Sequence, residues 1–286
     1  MSSPDNPYRG PRKRSHSSAA PSHATDSPLV HADTGREGHA RGQRDEIRLY
    51  GLNACRAAYA ARPQDLRKVY LTESRIATLR EVLAYCVKHR LGYRVVEEAD
   101  LDKLAASSHH EGVLFEMQRR AQPALDELLA SLSPGPQQLL WLDGVGNPHN
   151  FGAVLRSAAH YGVAGVLLPP TSPLTLSGAA CRIAEGGAEV VPVVRLVWLE
   201  SALLALRQAG FALAATLPTG GDSVYAATLP PRLALVFGAE GGGMQPALVE
   251  ACALRLSIPG SGKVESLNIA NAVGVMLSEC WRRHHA

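Results

Sequence analysis

Aromatic residues are scarce in this chain, at 5% of its 286 positions. Proteins that grip single-stranded nucleic acid by stacking bases on rings carry more of them, so that mode of binding is disfavoured. Cysteine is scarce too. The five present, Cys55, Cys86, Cys181, Cys252 and Cys280, are odd in number and contain no C-x-x-C pair. Neither a disulfide framework nor a structural zinc site is expected, and reduced thiols in a cytoplasmic protein are the simpler reading. No apolar run approaches the length of a membrane span, and the first residues lack the apolar core of a signal peptide. A dominant charge is also missing: 29 Lys and Arg stand against 26 Asp and Glu, a formal net charge of +3. That balance neither requires nor excludes a polyanionic partner.

What is present is enough apolar material, 46% of residues, for a packed core, in a length that suits one large or two modest domains. Residues 1–44 are the exception. They are rich in Ser, Pro, Gly, His and Arg, have almost no aliphatic periodicity, and are expected to be a disordered basic tail. Arg9, Arg12, Lys13 and Arg14 make its start basic, either as a solvated tail or as a weak phosphate-binding arm. Residues 45–120 read as a small α/β domain, with strands at 67–71, 93–96 and 112–117 and a helix at 77–88. Residues 121–137, with Pro123, Pro134, Gly135 and Pro136 around ALDELLASL, read as a linker holding a short helix. From 138 to 286 apolar runs (LLWLD, GVLLP, VVPVV, FALAAT, LALVF, LRLSI) alternate with helical patterns such as 151–161, 199–209 and 267–282. Near-continuous apolar strands between helices predict a parallel sheet covered on both faces.

Ligands of such sheets bind beyond the carboxyl ends of the strands, and there the sequence turns unusual. After LLWL, the segment 143–157 (DGVGNPHNFGAVLRS) places Asn150 to cap a helix opening at Gly152, with Arg156 further along it. After LALVF, the loop 236–244 (VFGAEGGGM) surrounds the carboxylate of Glu240 with glycines, which present bare amides and admit a ligand close to the backbone. After LRLS, the segment 257–271 (SIPGSGKVESLNIAN) leads through an irregular loop to Ser266 and Asn268 at the mouth of an apolar helix. Taken singly, these are also a capped helix with a surface arginine, a tight turn, and a Ser or Asn cap. No G-x-G-x-x-G follows the first strand of this region, which argues against a dinucleotide-dependent oxidoreductase.

Taken together, N-x-G-x-x-x-R (Asn150, Gly152, Arg156), F-G-A-E-G-G-G (237–243) and I-P-G-S-G-K-V-E-S-L-N (258–268) resemble the motifs of the SpoU/TrmH branch of the SPOUT RNA ribose 2′-O-methyltransferases. Residues 46–118, with YGLNA at 50–54 and HHEG at 109–112, resemble the L30e-like substrate-binding domain that several members carry in front. The likeness extends through SGAACRIAEGGAEVV at 177–191 and is nearest to the YfiF-like subgroup of tRNA/rRNA methyltransferases; Ser157 stands where members often have Thr. The resemblance implies a trefoil-knotted parallel-sheet methyltransferase domain behind the L30e-like domain, a homodimer joined through the C-terminal domain, and structured RNA (tRNA or rRNA) as substrate. It implies S-adenosyl-L-methionine as cofactor, held at Gly238, Ile258 and Leu267. It also implies a catalytic group made of Arg156, Asn150, Glu240, Ser266 and Asn268. A guanidinium is almost always charged, so Arg156 is better read as a cation stabilising alkoxide character on the ribose oxygen than as a base. Asn150 and Glu240 would orient it, while Ser266 and Asn268 would position the ribose or shape the cofactor site. His149 is not assigned a role by the resemblance, and His109 and His110 are expected in the front domain's fold or RNA surface, with no metal site. The alternative is an RNA-binding protein of the same fold with little or no catalysis.

Overall fold

The computed structural model describes residues 45–239 and 241–285; the expected tail 1–44, Glu240 and Ala286 lie outside the described residues. Strands β1 (Glu46–Tyr50), β2 (Leu66–Leu71), β3 (Gly92–Val95) and β4 (Val113–Gln118) form a four-stranded sheet in the order β1-β4-β2-β3. Only β2 and β3 run parallel. Helices α1 (Leu52–Ala61), α2 (Arg80–His89) and α3 (Glu98–Ala105) complete this part. Val69, Leu71, Phe115 and Met117 bury one face, and Tyr70 and Leu114 pack with Leu101 of α3 on the other. The sequence reading finds β2, β3, β4 and α2 but not β1, α1 or α3. α1 (LNACRAAYAA) is half alanine, and α3 buries Leu101 alone, so neither carries a clear apolar stripe.

Helix α4 (Leu125–Ser131) occupies the expected linker, its first turn closed by Glu127 accepting from the Ala124 amide at 2.9 Å. Then follow β5 (Gln137–Leu142), α5 (Pro148–His160), β6 (Gly165–Leu168), α6 (Gly178–Ala184), α7 (Gly187–Val190), β7 (Val193–Arg195), α8 (Leu199–Gln208), β8 (Ala212–Thr216), β9 (Asp222–Ser223), β10 (Arg232–Phe237), α9 (Pro246–Ala251), β11 (Leu254–Ser257) and α10 (Ile269–His285). The seven strands are all parallel, in the order β7-β6-β5-β10-β8-β11-β9. Leu140 and Leu142 of β5 face Phe151 and Leu155 of α5 and Val273 and Leu277 of α10, whereas Leu139 and Trp141 face Leu128, Leu206 and Leu248 of α4, α8 and α9. Burial on both sides is why these strands read as unbroken apolar runs. From β5 the chain proceeds outward through β6 and β7 and later returns to β5's other side with β10, making a switch point between β5 and β10. No described helix is long and apolar enough to cross a membrane.

The structure corrects three local readings. The run VVPVV is not one strand: α7 ends at Val190, and Pro192 separates it from β7. The helix expected from Gly152 begins at Pro148, and its cap is Asn147, whose side chain accepts from the His149 amide at 2.8 Å. Proline is favoured at a first helical position, so Asn150 lies inside the first turn. Likewise Leu267 lies outside α10, which Asn268 caps by accepting from the Ala270 amide at 2.9 Å.

The small sheet and the large one meet across α6 and α7. Gly178 packs against the Arg48 carbonyl, and a Cβ on Gly186 would fall 2.9 Å from that of Ala57. Beside them Arg62 grips Glu189 through Nε–Oε2 at 2.8 Å and Nη2–Oε1 at 2.9 Å, and Arg120 donates to the Glu189 carbonyl at 2.8 Å. Both members of this pair are about nine-tenths buried (side-chain exposure 10% and 9%). Arg62 also donates to Asp65 at 3.2 Å and to the Gln118 carbonyl at 2.7 Å, so losing Glu189 leaves its buried charge only partly compensated. Glu189→Ala is therefore expected to lower unfolding stability by about 3 kcal/mol, the low end for a broken buried pair. Urea denaturation of the single variant within 1 kcal/mol (roughly the worth of an exposed pair) of the parent would refute the assignment.

Candidate active site

A cleft of about 840 Å³ opens beyond the carboxyl ends of β8, β10 and β11. Its walls are 216–219, 237–239, 241–244, 257–262 and 264–267, and Ile269, Ala272 and Met276 of α10 close its base. Gly238, Ile258, Ser266 and Leu267 all line it. Gly238 is constrained by the loop itself: a Cβ there would lie 2.5 Å from the Gly243 carbonyl carbon and 2.7 Å from the Met244 amide nitrogen. The loop returns on itself through paired hydrogen bonds between Ala239 and Gly243, at 2.9 and 3.0 Å. Gly241 and Gly243 have φ of 80° and 68°, a region in which glycine alone is unstrained.

Asp143, to which sequence reasoning gave no role, anchors this loop. It is buried, and its carboxylate accepts from the Gln245 amide at 2.8 Å and from Gln245 Nε2 at 3.4 Å, while its own amide donates to the Phe237 carbonyl at 2.8 Å. The available signal was a carboxylate placed directly after the apolar run 139–142, where a loop at a switch point needs an anchor.

The first and third motif segments are joined by Asn268 Nδ2 donating to Asn150 Oδ1 at 3.1 Å. Asn268 lies in the chain between Leu267 and Ile269, both of which line the cleft. Arg156 is not with them. It is exposed, makes no hydrogen bond or ion pair with another described residue, and lines a separate hollow with Asn53 and Glu185. Thus Asn150 engages Asn268 and not Arg156, as six residues along a helix put the two side chains on different faces. His149 is exposed. His110 is buried in the small sheet's loop: Nδ1 accepts from the Gly112 amide at 3.0 Å, and Nε2 faces Asp102 at 3.2 Å. Among the described residues no group of three or more His, Cys, Asp or Glu could hold a metal.

The cleft's base is secured at the far end of α10. Glu279 accepts from Arg282 at 2.8 Å and Arg283 at 2.7 Å, and Arg283 Nη2 continues to the Val224 carbonyl at 2.8 Å. These arginine hydrogen bonds hold the Glu279 carboxyl down at about 2, below its ordinary 4.5. A depressed carboxyl stabilises the fold above its ordinary value, and that contribution fades as pH falls from 4.5 towards 2. Glu279→Gln is expected to remove this part of the acid sensitivity and to bring the stability of parent and variant together at low pH. Thermal melts across that range check it, and a gap that stays constant with pH would count against it.

The fit to S-adenosylmethionine is good: glycine backbone for close approach, and Ile258, Leu267, Met244 and Met276 as apolar walls. A parallel sheet with a glycine-walled cleft at its strand ends, preceded by a small separate sheet, defines an α/β protein that takes its ligand at the strand ends. One solved RNA 2′-O ribose methyltransferase superposes with a TM-score of 0.72 at 25% identity over 87% of this chain and 92% of that one. An rRNA methyltransferase from Sinorhizobium meliloti, solved with its cofactor, superposes at 0.71 with 22% identity, over 90% of this chain and 98% of that one. Residues 137–278 match the SpoU rRNA Methylase family, residues 48–123 match the RNA 2′-O ribose methyltransferase substrate binding family, and the chain belongs to the SpoU methylase family. It is similar to an uncharacterized tRNA/rRNA methyltransferase, YfiF, of Escherichia coli O157:H7, at 36% identity over 86% of this chain and 71% of that protein. It is also similar to the 23S rRNA (guanosine-2′-O-)-methyltransferase RlmB of Nitrosomonas europaea, at 33% over 82% of this chain and 91% of that protein. The protein is thus an S-adenosylmethionine-dependent RNA methyltransferase acting on ribose 2′-hydroxyls.

Because Gly238 has no room for a Cβ, even Gly238→Ala must displace the returning segment 243–244, which lines the cleft. Cofactor affinity is expected to fall at least about tenfold, the effect of some 1.4 kcal/mol, a modest overpacking cost. Calorimetric titration with S-adenosylmethionine checks this, and unchanged affinity would move the cofactor elsewhere.

Proposed function

We propose that the chain methylates ribosomal RNA, with Gly238, Ile258 and Leu267 holding the cofactor and Arg156 acting on the ribose oxygen. The observation that carries this is the cleft shared by the second and third motif segments, to which the first is tied by the Asn268–Asn150 hydrogen bond. S-adenosylmethionine, when bound, supplies an electrophilic methyl on a sulfonium. The chain's part is to lower the cost of alkoxide character on the attacking 2′-oxygen. Arg156 is suited to this as a fixed cation whose planar fork can grip the oxygen and a neighbouring phosphate together. Asn150 and Asn268 brace each other and, with Ser266, set where the ribose lies. Glu240 is proposed for the same group on its place in the motif. The resemblance of the relatives named for rRNA supports that substrate over tRNA.

The separation of Arg156 from the cofactor cleft of its own chain supports a homodimer in which a second copy completes the site. An apolar surface is available for it. Trp281 on α10 is 42% exposed and tilts against Tyr161 at a ring separation of 6.4 Å, and Leu267 and Val264 are exposed beside the cleft. The same reading assigns residues 45–120 to substrate binding and 138–286 to a trefoil-knotted catalytic domain, joined by 121–137, in a cytoplasmic enzyme.

The test is single-turnover methyl transfer, with the methylated ribose located by mass spectrometry on RNA from cells lacking the protein. Arg156→Ala is expected to slow transfer by about 100- to 1000-fold while leaving cofactor affinity alone. Arg156→Lys, which keeps charge but loses the fork, is expected to rescue poorly. Rates within a few-fold of the parent for Arg156→Ala would end this assignment.

A further inference from the structure

The hollow that contains Arg156, about 590 Å³, lies at the seam between the two sheets. Arg156 and His160 enter it from α5, and Asn53 and Ala57 from α1. Each pair is spaced i, i+4 and so shares one face of its helix. Glu185, at the end of α6, is the third contributor. Its φ is 52°, in the left-handed region that residues other than glycine seldom occupy, and such strain survives where the surroundings enforce it. Here Asn53 Nδ2 donates to Glu185 Oε2 at 2.6 Å. A neutral amide thus holds this carboxylate. Neither Arg156 nor His160 pairs with it, and its other oxygen makes no hydrogen bond to a described residue.

The hollow therefore offers an oriented acceptor on one side and two basic side chains on the other. That is the complement of a nucleotide: a base edge with N–H donors and a phosphate. A carboxylate can only accept, and among the RNA bases guanine presents two adjacent donors, N1–H and N2–H, on its Watson–Crick edge. We propose that the hollow binds a guanosine nucleotide of the substrate RNA, its base edge against Glu185 and its phosphate against Arg156 and His160. This rests on the reading of Arg156 as facing RNA. The base must be unpaired, as is usual where proteins read RNA sequence through base edges. Asn53 acts as a positioning residue, turning the free oxygen of Glu185 inward. Because Asn53 comes from the small sheet's part, and Arg156 and His160 from the large one's, the site exists only while the seam is closed.

The experiment uses the full chain and total RNA from cells lacking the protein, following methyl transfer from S-adenosylmethionine. Glu185→Gln and Glu185→Asn are compared with the parent; asparagine tolerates a left-handed backbone, so the second variant keeps the fold. Both are expected to raise KM for RNA by about tenfold, roughly the size of one lost hydrogen bond to a charged group, with unchanged calorimetric affinity for S-adenosylmethionine. Asn53→Ala should act in the same direction. Guanosine 5′-monophosphate should inhibit the parent more strongly than cytidine 5′-monophosphate, and Glu185→Gln should erase that preference. KM within twofold (a margin below the effect of one base contact, roughly) for Glu185→Asn, or equal inhibition of the parent by the two nucleotides, overturns the proposal. A parent that transfers no methyl to ribose in this RNA overturns the underlying function as well, and so is told apart from failure of the hollow alone.

Discussion

The large sheet hides both faces at once: Leu140 and Leu142 turn towards α5 and α10, and Leu139 and Trp141 towards α4, α8 and α9. A parallel sheet buried in this way offers a ligand only the ends of its strands, and its switch point is where neighbouring loops part company. Here that end carries Asp143, the loop 238–245 and the segment 257–268. The cleft therefore lies at strand ends, those of β8, β10 and β11. The glycines and the asparagine pair refine a space that the topology has already opened.

Close approach of backbone to backbone is the second constraint. Gly238 is needed because its own loop returns across it, and Gly152 because α5 crosses α6 so closely that a Cβ would lie 2.6 Å from the Ala180 carbonyl oxygen. Two glycines of the recognisable motifs thus serve packing before they serve any ligand. A motif residue can be indispensable to a site without touching what binds there, because the geometry of the neighbouring loop or helix depends on it.

The seam between the sheets brings electrostatics into the same account. Arg62 and Glu189 satisfy one another in a buried setting, which secures orientation more than stability, since desolvation offsets much of the attraction. The adjacent hollow is the opposite case. Arg156 and Glu185 line one open hollow without pairing with each other, and groups of opposite sign that do not pair are left available for a third party.

Much was legible in the sequence. Unbroken apolar runs reported strands buried on both faces, and glycine, proline and asparagine after those runs marked where a ligand could enter, because backbone freedom and capping are local properties. Gly238, Ile258, Ser266 and Leu267 were assigned through the resemblance that those segments carry, and they do share one cleft. The exact helix starts were less legible: Asn147 and Asn150 are both plausible caps, and only the position of Pro148 in the folded turn separates them. What the tertiary structure alone decided is which distant residues meet. Asn150 with Asn268, Asp143 with Gln245, and Asn53 with Glu185 are each brought together across a hundred or more residues by strand order and helix packing. No local pattern encodes such pairings, because they depend on the summed burial of the whole core.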